Sequence, residues 1–322
     1  MEKRIKKTLQ PVQIGDKIYF GYGNTAIVRS VDNTKLNNQM IHYLNGEISR
    51  QEVNATDEQI NSIISDWQNH GALTNNKYDN KEKYSRNINF YEWVDISSNL
   101  DPSVYQSKLT SSTVSIIGIG GIGGTSAEIL ARSGIGKLIL VDDDVVDSSN
   151  VTRQSVYTEL DIGKFKVDVA SEYLLKLNPD INIVTKKMHI NNKLDLESFF
   201  KISNVVIAAA DTPFFLIDEW VDENVKKFDV PAIIGSYAST VINSIVLTKK
   251  SIPIKTFYNK NAVTNEELLN TKIPHSIIAP VSYMAAGLVT YQTIMLITGL
   301  QDFNKSFQLD LLDWSALQYE LY

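Results

Sequence analysis

Cysteine is absent from all 322 residues, and that absence removes three kinds of chemistry at once. Disulfides cannot form, a thiolate zinc site cannot be built, and no enzyme sulfur is present to carry a thioester or a sulfur relay. An excess of positive charge is missing too: 31 Lys and Arg stand against 37 Asp and Glu, a formal net charge of −6. A protein that grips nucleic acid by neutralising phosphates needs the opposite balance, so no nucleic-acid partner is expected. The N-terminus, from Met1 to Lys7, is charged and no apolar run follows it, which argues against a secretory signal and for a cytoplasmic protein. Between Lys272 and Asp302 there is no Asp, Glu, Lys or Arg. A stretch of that length could span a bilayer. Pro280, Ser282, Gly287, Thr290, Gln292 and Thr293 interrupt it, however, and no basic cluster flanks it closely. A helix buried in an α/β core, or at a subunit interface, fits better, and no membrane partner is expected. The 43% hydrophobic content is enough for one large core or two modest domains.

What is present falls into two parts. Residues 17–22, 25–29 and 39–44 read as three short strands separated by Gly23-Asn24 and an Asp32-Asn33 turn. A helix follows: Thr56 and Gln59 form a capping box, Ile60, Ile63, Ile64 and Trp67 share one face, and Gly71 ends it. Residues 1–74 are therefore expected to form a small α+β unit, followed by a polar, asparagine-rich linker at 75–85. From 86 to 322 the pattern alternates. Strands are expected at 114–117, 138–141, 181–185, 205–208 and 232–234, helices at 125–133, 165–177 and 214–228, and edge strands at 241–247 and 307–312. Apolar strands alternating with helices imply an α/β, Rossmann-like, mostly parallel sheet covered on both faces.

The most informative stretch runs from Val114 to Gly124. A β-branched run ends in glycines (Gly118, Gly120, Gly121, Gly123) and a helical pattern begins at once. That strand, tight turn and helix start leave backbone N–H groups free to hold phosphate. About twenty residues on, a second strand ends at Asp142, placed to accept hydrogen bonds from a ribose diol. These features alone suit any nucleotide, including the nicotinamide of a dehydrogenase. Asn150, Arg153 and Gln154, then Gly163 and Lys166, then Asp211 at the end of an apolar strand add two cations and a carboxylate. Hydride transfer has no need of them, whereas a triphosphate with magnesium does.

The series Gly-x-Gly-Gly-x-Gly, Asp142-x-Asp144, Asn150-x-x-Arg153-Gln154, Gly163-x-x-Lys166-Val167, Asn178-Pro179 and Ala210-Asp211 resembles the ThiF/MoeB/HesA family of ATP-dependent adenylating enzymes, relatives of ubiquitin-activating proteins. The resemblance spans about Tyr84 to Gly299. It implies ATP and Mg2+ as cofactors, with Asp211 ligating the magnesium. Gly118, Gly120, Gly121, Gly123, Asp142, Asp144, Asn150, Arg153, Gln154 and Lys166 would bind the nucleotide. Arg153 and Lys166 would stabilise charge on the α-phosphate more in the transition state than in the ground state. Tyr84-Ser-Arg86-Asn87-Ile88 is similar to the family's arginine motif, in which the arginine reaches the partner subunit's site, so a homodimer with Arg86 acting in trans is implied. The family's paired Cys-x-x-Cys zinc ligands are missing from 248–275, hence no zinc is expected. That region instead holds four basic residues from Lys249 to Lys260, and His275.

A three-strand unit ahead of such a domain resembles the winged-helix-like peptide clamp of enzymes that modify ribosomally made peptides, of the microcin C and pantocin A types. On that resemblance 1–74 recognises the leader of a precursor peptide, with Ile41, Tyr43, Leu44, Ile60 and Ile64 as groove candidates. The domain at 86–322 then adenylates a peptide carboxylate, either a glutamate side chain or the C-terminus, in peptide-antibiotic biosynthesis. Activation of a ubiquitin-like or sulfur-carrier protein remains open as an alternative, as does a non-catalytic partner subunit.

Overall fold

A computed structural model describes residues 3–21, 29–74, 83–95, 100–261, 276–300 and 305–321. The expected strand at 25–29 falls almost wholly outside them, as do the Gly23-Asn24 turn, most of the 75–85 linker and His275. The chain divides into two compact units, Met1–Ser107 and Lys108–Tyr322. The division comes later than the expected linker because the N-terminal segment holds on to the helices that follow it. Lys6, 1% exposed, donates from Nζ to the carbonyls of Glu92 and Asp95, and Thr8 donates to Glu92 Oε2 at 2.9 Å. Tyr105 donates to Asp95 Oδ2 at 2.8 Å.

The first unit pairs β1 (Arg4–Ile5) with β5 (Leu73–Thr74) and builds an antiparallel meander from β2 (Val12–Ile14), β3 (Lys17–Phe20) and β4 (Arg29–Asp32). Helices α1 (Lys35–Leu44), α2 (Asp57–Asn69) and α3 (Ser85–Val94) complete it, with α4 (Pro102–Thr110) at the division. The strand expected at 39–44 is helix α1. Thr34 caps it by accepting from the Asn37 N–H, and Leu36, Met40 and Leu44, spaced by four, turn one face to the core. The short apolar run at 40–44 concealed that period. Helix α2 begins at the expected capping box of Thr56 and Gln59, and Gly71, at φ +71°, follows its end. The five groove candidates belong wholly or in part to the core of this unit. Leu44 and Ile60 are core residues, and Ile41, Tyr43 and Ile64 pack against them.

The second unit is an eight-stranded sheet in the order β13-β12-β11-β10-β9-β6-β7-β8. Strands β6 (Thr113–Ile117), β7 (Lys137–Val141), β8 (Asn182–Lys186), β9 (Val205–Ala208) and β10 (Ala232–Ala238) are parallel. β11 (Val241–Leu247), β12 (Lys305–Asp310) and β13 (Ser315–Glu320) extend the sheet antiparallel. Alternation along each strand feeds two cores. Ile116 belongs to the one that also holds residues of α5 (Gly121–Ser133), α6 (Lys166–Leu177) and α10 (Ala279–Thr298). Ile117 belongs to the other, with α7 (Lys193–Phe200) and α8 (Leu216–Phe228). Short α9 (Ile254–Asn261) is held by Asp222 of α8, which accepts from the Ile254 N–H at 3.1 Å.

Helix α10 is long and apolar enough to cross a membrane, yet it packs along α5, β10 and β11 and buries residues from Val281 to Thr298. Its threonine hydroxyls return to their own helix: Thr290, Thr293 and Thr298 donate to the carbonyls of Ala286, Val289 and Ile294. Chain order reverses between β6 and β9: β7 and β8 lie to one side of β6, β9 and β10 to the other. Ligands of open parallel sheets bind at such a reversal, outside the carboxyl ends of the strands.

Candidate functional site

The glycine turn is built by backbone contact. Gly118 takes φ +87° and donates its N–H to Val141 O at 2.8 Å. A Cβ there would lie 2.7 Å from the Ala210 nitrogen, so the ends of β6 and β9 can approach closely only because residue 118 is glycine. Helix α5 starts at Gly121, four residues before the expected Thr125, with Gly120 as its N-cap. The N–H groups of that first turn have no acceptor within the helix. Gly123 plays a different part from the one expected. A Cβ on it would come 1.8 Å from Gly118 O, so it serves the packing of turn on helix and does not line the cavity.

A cavity of about 670 Å³ opens over this reversal. Gly118, Gly120, Gly121, Asp142, Asp144, Asn150, Arg153, Gln154, Lys166 and Asp211 all line it, so the structure brings together every expected site residue of this unit except Gly123. Arg86 belongs to the other unit, exposed on the first turn of α3.

Asp142 braces the turn as well as facing the cavity. Its Oδ2 accepts from the Ile119 N–H at 2.6 Å and its Oδ1 from the Asp144 N–H at 2.8 Å. Burial raises its pKa, opposed by Lys166 and by those two bonds. Lys166 opens α6 with its side chain 8% exposed, and its Nζ reaches Asp144 Oδ2 at 2.7 Å. A buried ammonium needs such a partner. Asp144 is 65% exposed, so an incoming phosphate oxygen can take its place.

The loop before α6 folds around Asn150, whose carbonyl accepts from the N–H groups of Arg153 and Gln154 and whose Oδ1 accepts from Asp147 N. Arg153 donates from Nη1 to Ser149 O at 2.6 Å, but among the described residues its buried Nε has no partner, nor has the buried Oε1 of Gln154. Unpaired buried polar atoms are costly. The Arg153 Nε–H, a donor beside a glycine turn and a helix start, fits a phosphate oxygen, whereas the Gln154 amide oxygen calls for a donor. Asp211, exposed at the cavity wall beyond β9, is free to take a cation. Asn178 has a structural part, donating from Nδ2 to Ala131 O at 3.0 Å. In the basic stretch, Lys249 pairs with Asp229 and Lys255 with Glu219 at the surface, while the side chain of Lys260 and His275 lie outside the description.

Several lining residues carry no signal in the motifs. Tyr157, buried and not itself part of the lining, donates to Ile119 O at 2.7 Å and steadies the turn, its hydroxyl pushed above the usual phenol range by burial. His189 stands 3.2 Å from Asp143 on the β8 side. Asp218 and Tyr258 form a bonded pair on the α8 side, and Asn243 of β11 accepts from Gln308 of β12 at 2.8 Å. The one available sequence hint was Asp218 on the amphipathic helix that begins after Asp211.

Residues 84–319 match the ThiF family. The adenylyltransferase and sulfurtransferase UBA4 of Meyerozyma guilliermondii is 27% identical over 225 residues, 69% of this chain and 50% of that protein. The chain thus spans about half the length of this curated relative. Among solved structures, Escherichia coli MccB with ATP covers 100% of the chain and 97% of its own, at TM-score 0.84 and 24% identity. PaaA covers 98% and 99%, at TM-score 0.77 and 25% identity. The first likeness is one of fold. The family assignment rests on the match over most of the sequence and on the glycine turn, cations and carboxylate that meet in one cavity: the chain belongs to the ThiF family.

Proposed function

We propose that this protein is an ATP-dependent adenylating enzyme that activates a carboxylate of a ribosomally made precursor peptide. The observation that carries the reading is the convergence of the glycine turn, Asp142, Arg153, Lys166 and Asp211 on one cavity at the chain reversal of the sheet. The first turn of α5, Arg153 and Lys166 hold the triphosphate, Lys166 exchanging Asp144 for a phosphate oxygen. Asp142 meets the ribose while bracing the turn. The peptide carboxylate attacks the α-phosphorus, pyrophosphate leaves, and the two cations stabilise the charge that builds on the phosphoryl oxygens. Asp211 would hold Mg2+, which would supply neutralising charge to the phosphate groups.

The peptide as substrate is supported by likeness along the whole chain, N-terminal unit included. MccB has been solved with N-formylated MccA as a microcin C7 biosynthetic enzyme, at TM-score 0.85. The N-terminal unit then recognises the peptide, and the enzyme works as a homodimer whose Arg86 completes the partner's site. A second reading, activation of a ubiquitin-like or sulfur-carrier protein, is favoured by the UBA4 likeness. Lacking cysteine, the chain could perform only the adenylation half of such a relay.

Hydroxylamine decides between these readings, because it converts an acyl-adenylate to a stable hydroxamate at the activated carboxylate. With ATP, Mg2+ and peptides from the producing cell, a short peptide should acquire the hydroxamate. A hydroxamate found only at the C-terminus of a folded carrier protein would contradict the peptide assignment.

A further inference from the structure

The cavity extends past its nucleotide end to side chains that the proposed chemistry leaves unused. Asp218 lies in the first turn of α8, and its Oδ2 accepts a 2.6 Å bond from the Tyr258 hydroxyl of α9. Burial raises the Asp218 pKa from 3.8 to about 6, against the pull of the tyrosine bond. Burial, and then Asp218 itself, push the Tyr258 hydroxyl upward, so it remains a donor. Aromatic rings flank the pair: the Phe214 and Phe215 centroids are 4.1 Å apart, and those of Phe215 and Tyr258 4.9 Å. Phe215, the N-cap of α8, takes φ +60°. Left-handed backbone is costly for a non-glycine residue, and strain of this kind gathers where a ligand is gripped.

A carboxylate in apolar surroundings needs donors. Tyr258 supplies one, to Oδ2. Oδ1 accepts none among the described residues, and Asp218 is part of the cavity wall. The nucleotide end of that cavity is built on β6, β7 and α6, whereas Asp218 and Tyr258 come from α8 and α9, with Asn243 and Gln308 of the antiparallel strands beyond. Asp211 precedes α8 by one short loop, between the two ends.

We propose that this end of the cavity is the subsite for the acyl substrate, in which Asp218, oriented by Tyr258, accepts a hydrogen bond from an N–H donor on the residue whose carboxylate is activated. The donor is a primary amide or an ammonium group. A second carboxylate on that residue is disfavoured, because it would place a like charge against the half-buried Asp218. The inference takes the location of the acyl end from the adenylation reading.

Fragment binding tests it without turnover. The full chain with AMP is titrated with N-acetyl-asparagine, N-acetyl-lysine and N-acetyl-leucine, and affinities are read by saturation-transfer NMR. The asparagine or the lysine probe should bind about tenfold tighter than the leucine probe, as expected for a hydrogen bond to a charged group. Which of the two it is identifies the donor. Asp218→Leu combined with Tyr258→Phe removes both partners and leaves no orphaned polar group, so the fold is spared, and the preference should vanish. Asp218→Asn should abolish a lysine preference but keep part of an asparagine preference. Equal binding of all three probes, binding by none, or a preference that survives the double substitution would overturn the subsite. ATP–pyrophosphate exchange, measured separately, distinguishes the two failures. Exchange without the preference defeats the subsite alone, and the preference without exchange defeats the adenylation reading alone.

Discussion

Gly120 and Gly123 stand three residues apart in the same turn, yet the space around them differs. A methyl on Gly120 would have Gln154 Nε2 at 3.9 Å as its nearest neighbour, whereas one on Gly123 would meet the backbone oxygen of Gly118 at 1.8 Å. Gly123→Ala should therefore lower stability by about 3 kcal/mol or more, at or above the usual range for overpacking. Gly120→Ala should leave stability within about 0.5 kcal/mol but, on the proposed adenylation reading, weaken ATP binding, because Gly120 lines the cavity. Thermal melts and ATP titration of the two proteins test this, and equal melting temperatures would contradict it. Motif spacing gave both glycines one role, since a sequence shows that a glycine is needed but not what presses on it. The same limit applies to Asp142. Its place at the end of β7 was legible, but its bonds to Ile119 and Asp144 depend on the fold of the turn.

At the scale of elements, the inner parallel strands were legible because each is built on a short apolar run between turn signals, and buried strands of α/β sheets have that composition. Strand β9 and strand β11 span the residues expected of them. Helix α1 stands where a strand is expected because Met40 to Leu44 is a run too short to show its period, and its start is set by the Thr34 cap. Helix α2 was read correctly because its signal is chemical: Thr56 accepts from the Gln59 N–H while the Gln59 side chain accepts from the Thr56 N–H. Thr56→Ala should destabilise the N-terminal unit by about 1 kcal/mol, measured as a lower denaturation midpoint at unchanged slope. No change would mean that packing of Ile60 and Trp67 alone holds the helix. The Asp218–Tyr258 pair was illegible because its members are 40 residues apart and meet only when α9 docks on α8.

For the whole molecule, the proposal makes each site depend on two chains. Mixing Arg86→Ala protein with Lys166→Ala protein should restore about a quarter of wild-type activity, because half the dimers are hybrid and one site in each hybrid is intact. No recovery despite demonstrated subunit exchange would remove Arg86 from the partner's site. The composition already narrows what the assembled enzyme can do next: without cysteine, the acyl-adenylate cannot be passed to a thiol of this chain. The claim beneath all of this is that one cavity joins ATP to a carboxylate. Exchange of labelled pyrophosphate into ATP, driven by the peptide that hydroxylamine identifies, measures that step directly. Wild-type protein with Mg2+ should exchange, and Lys166→Ala and Asp211→Ala should each lose about 100-fold or more, the usual consequence of deleting an electrostatic contact made in the transition state. Wild-type exchange in either variant would contradict the account.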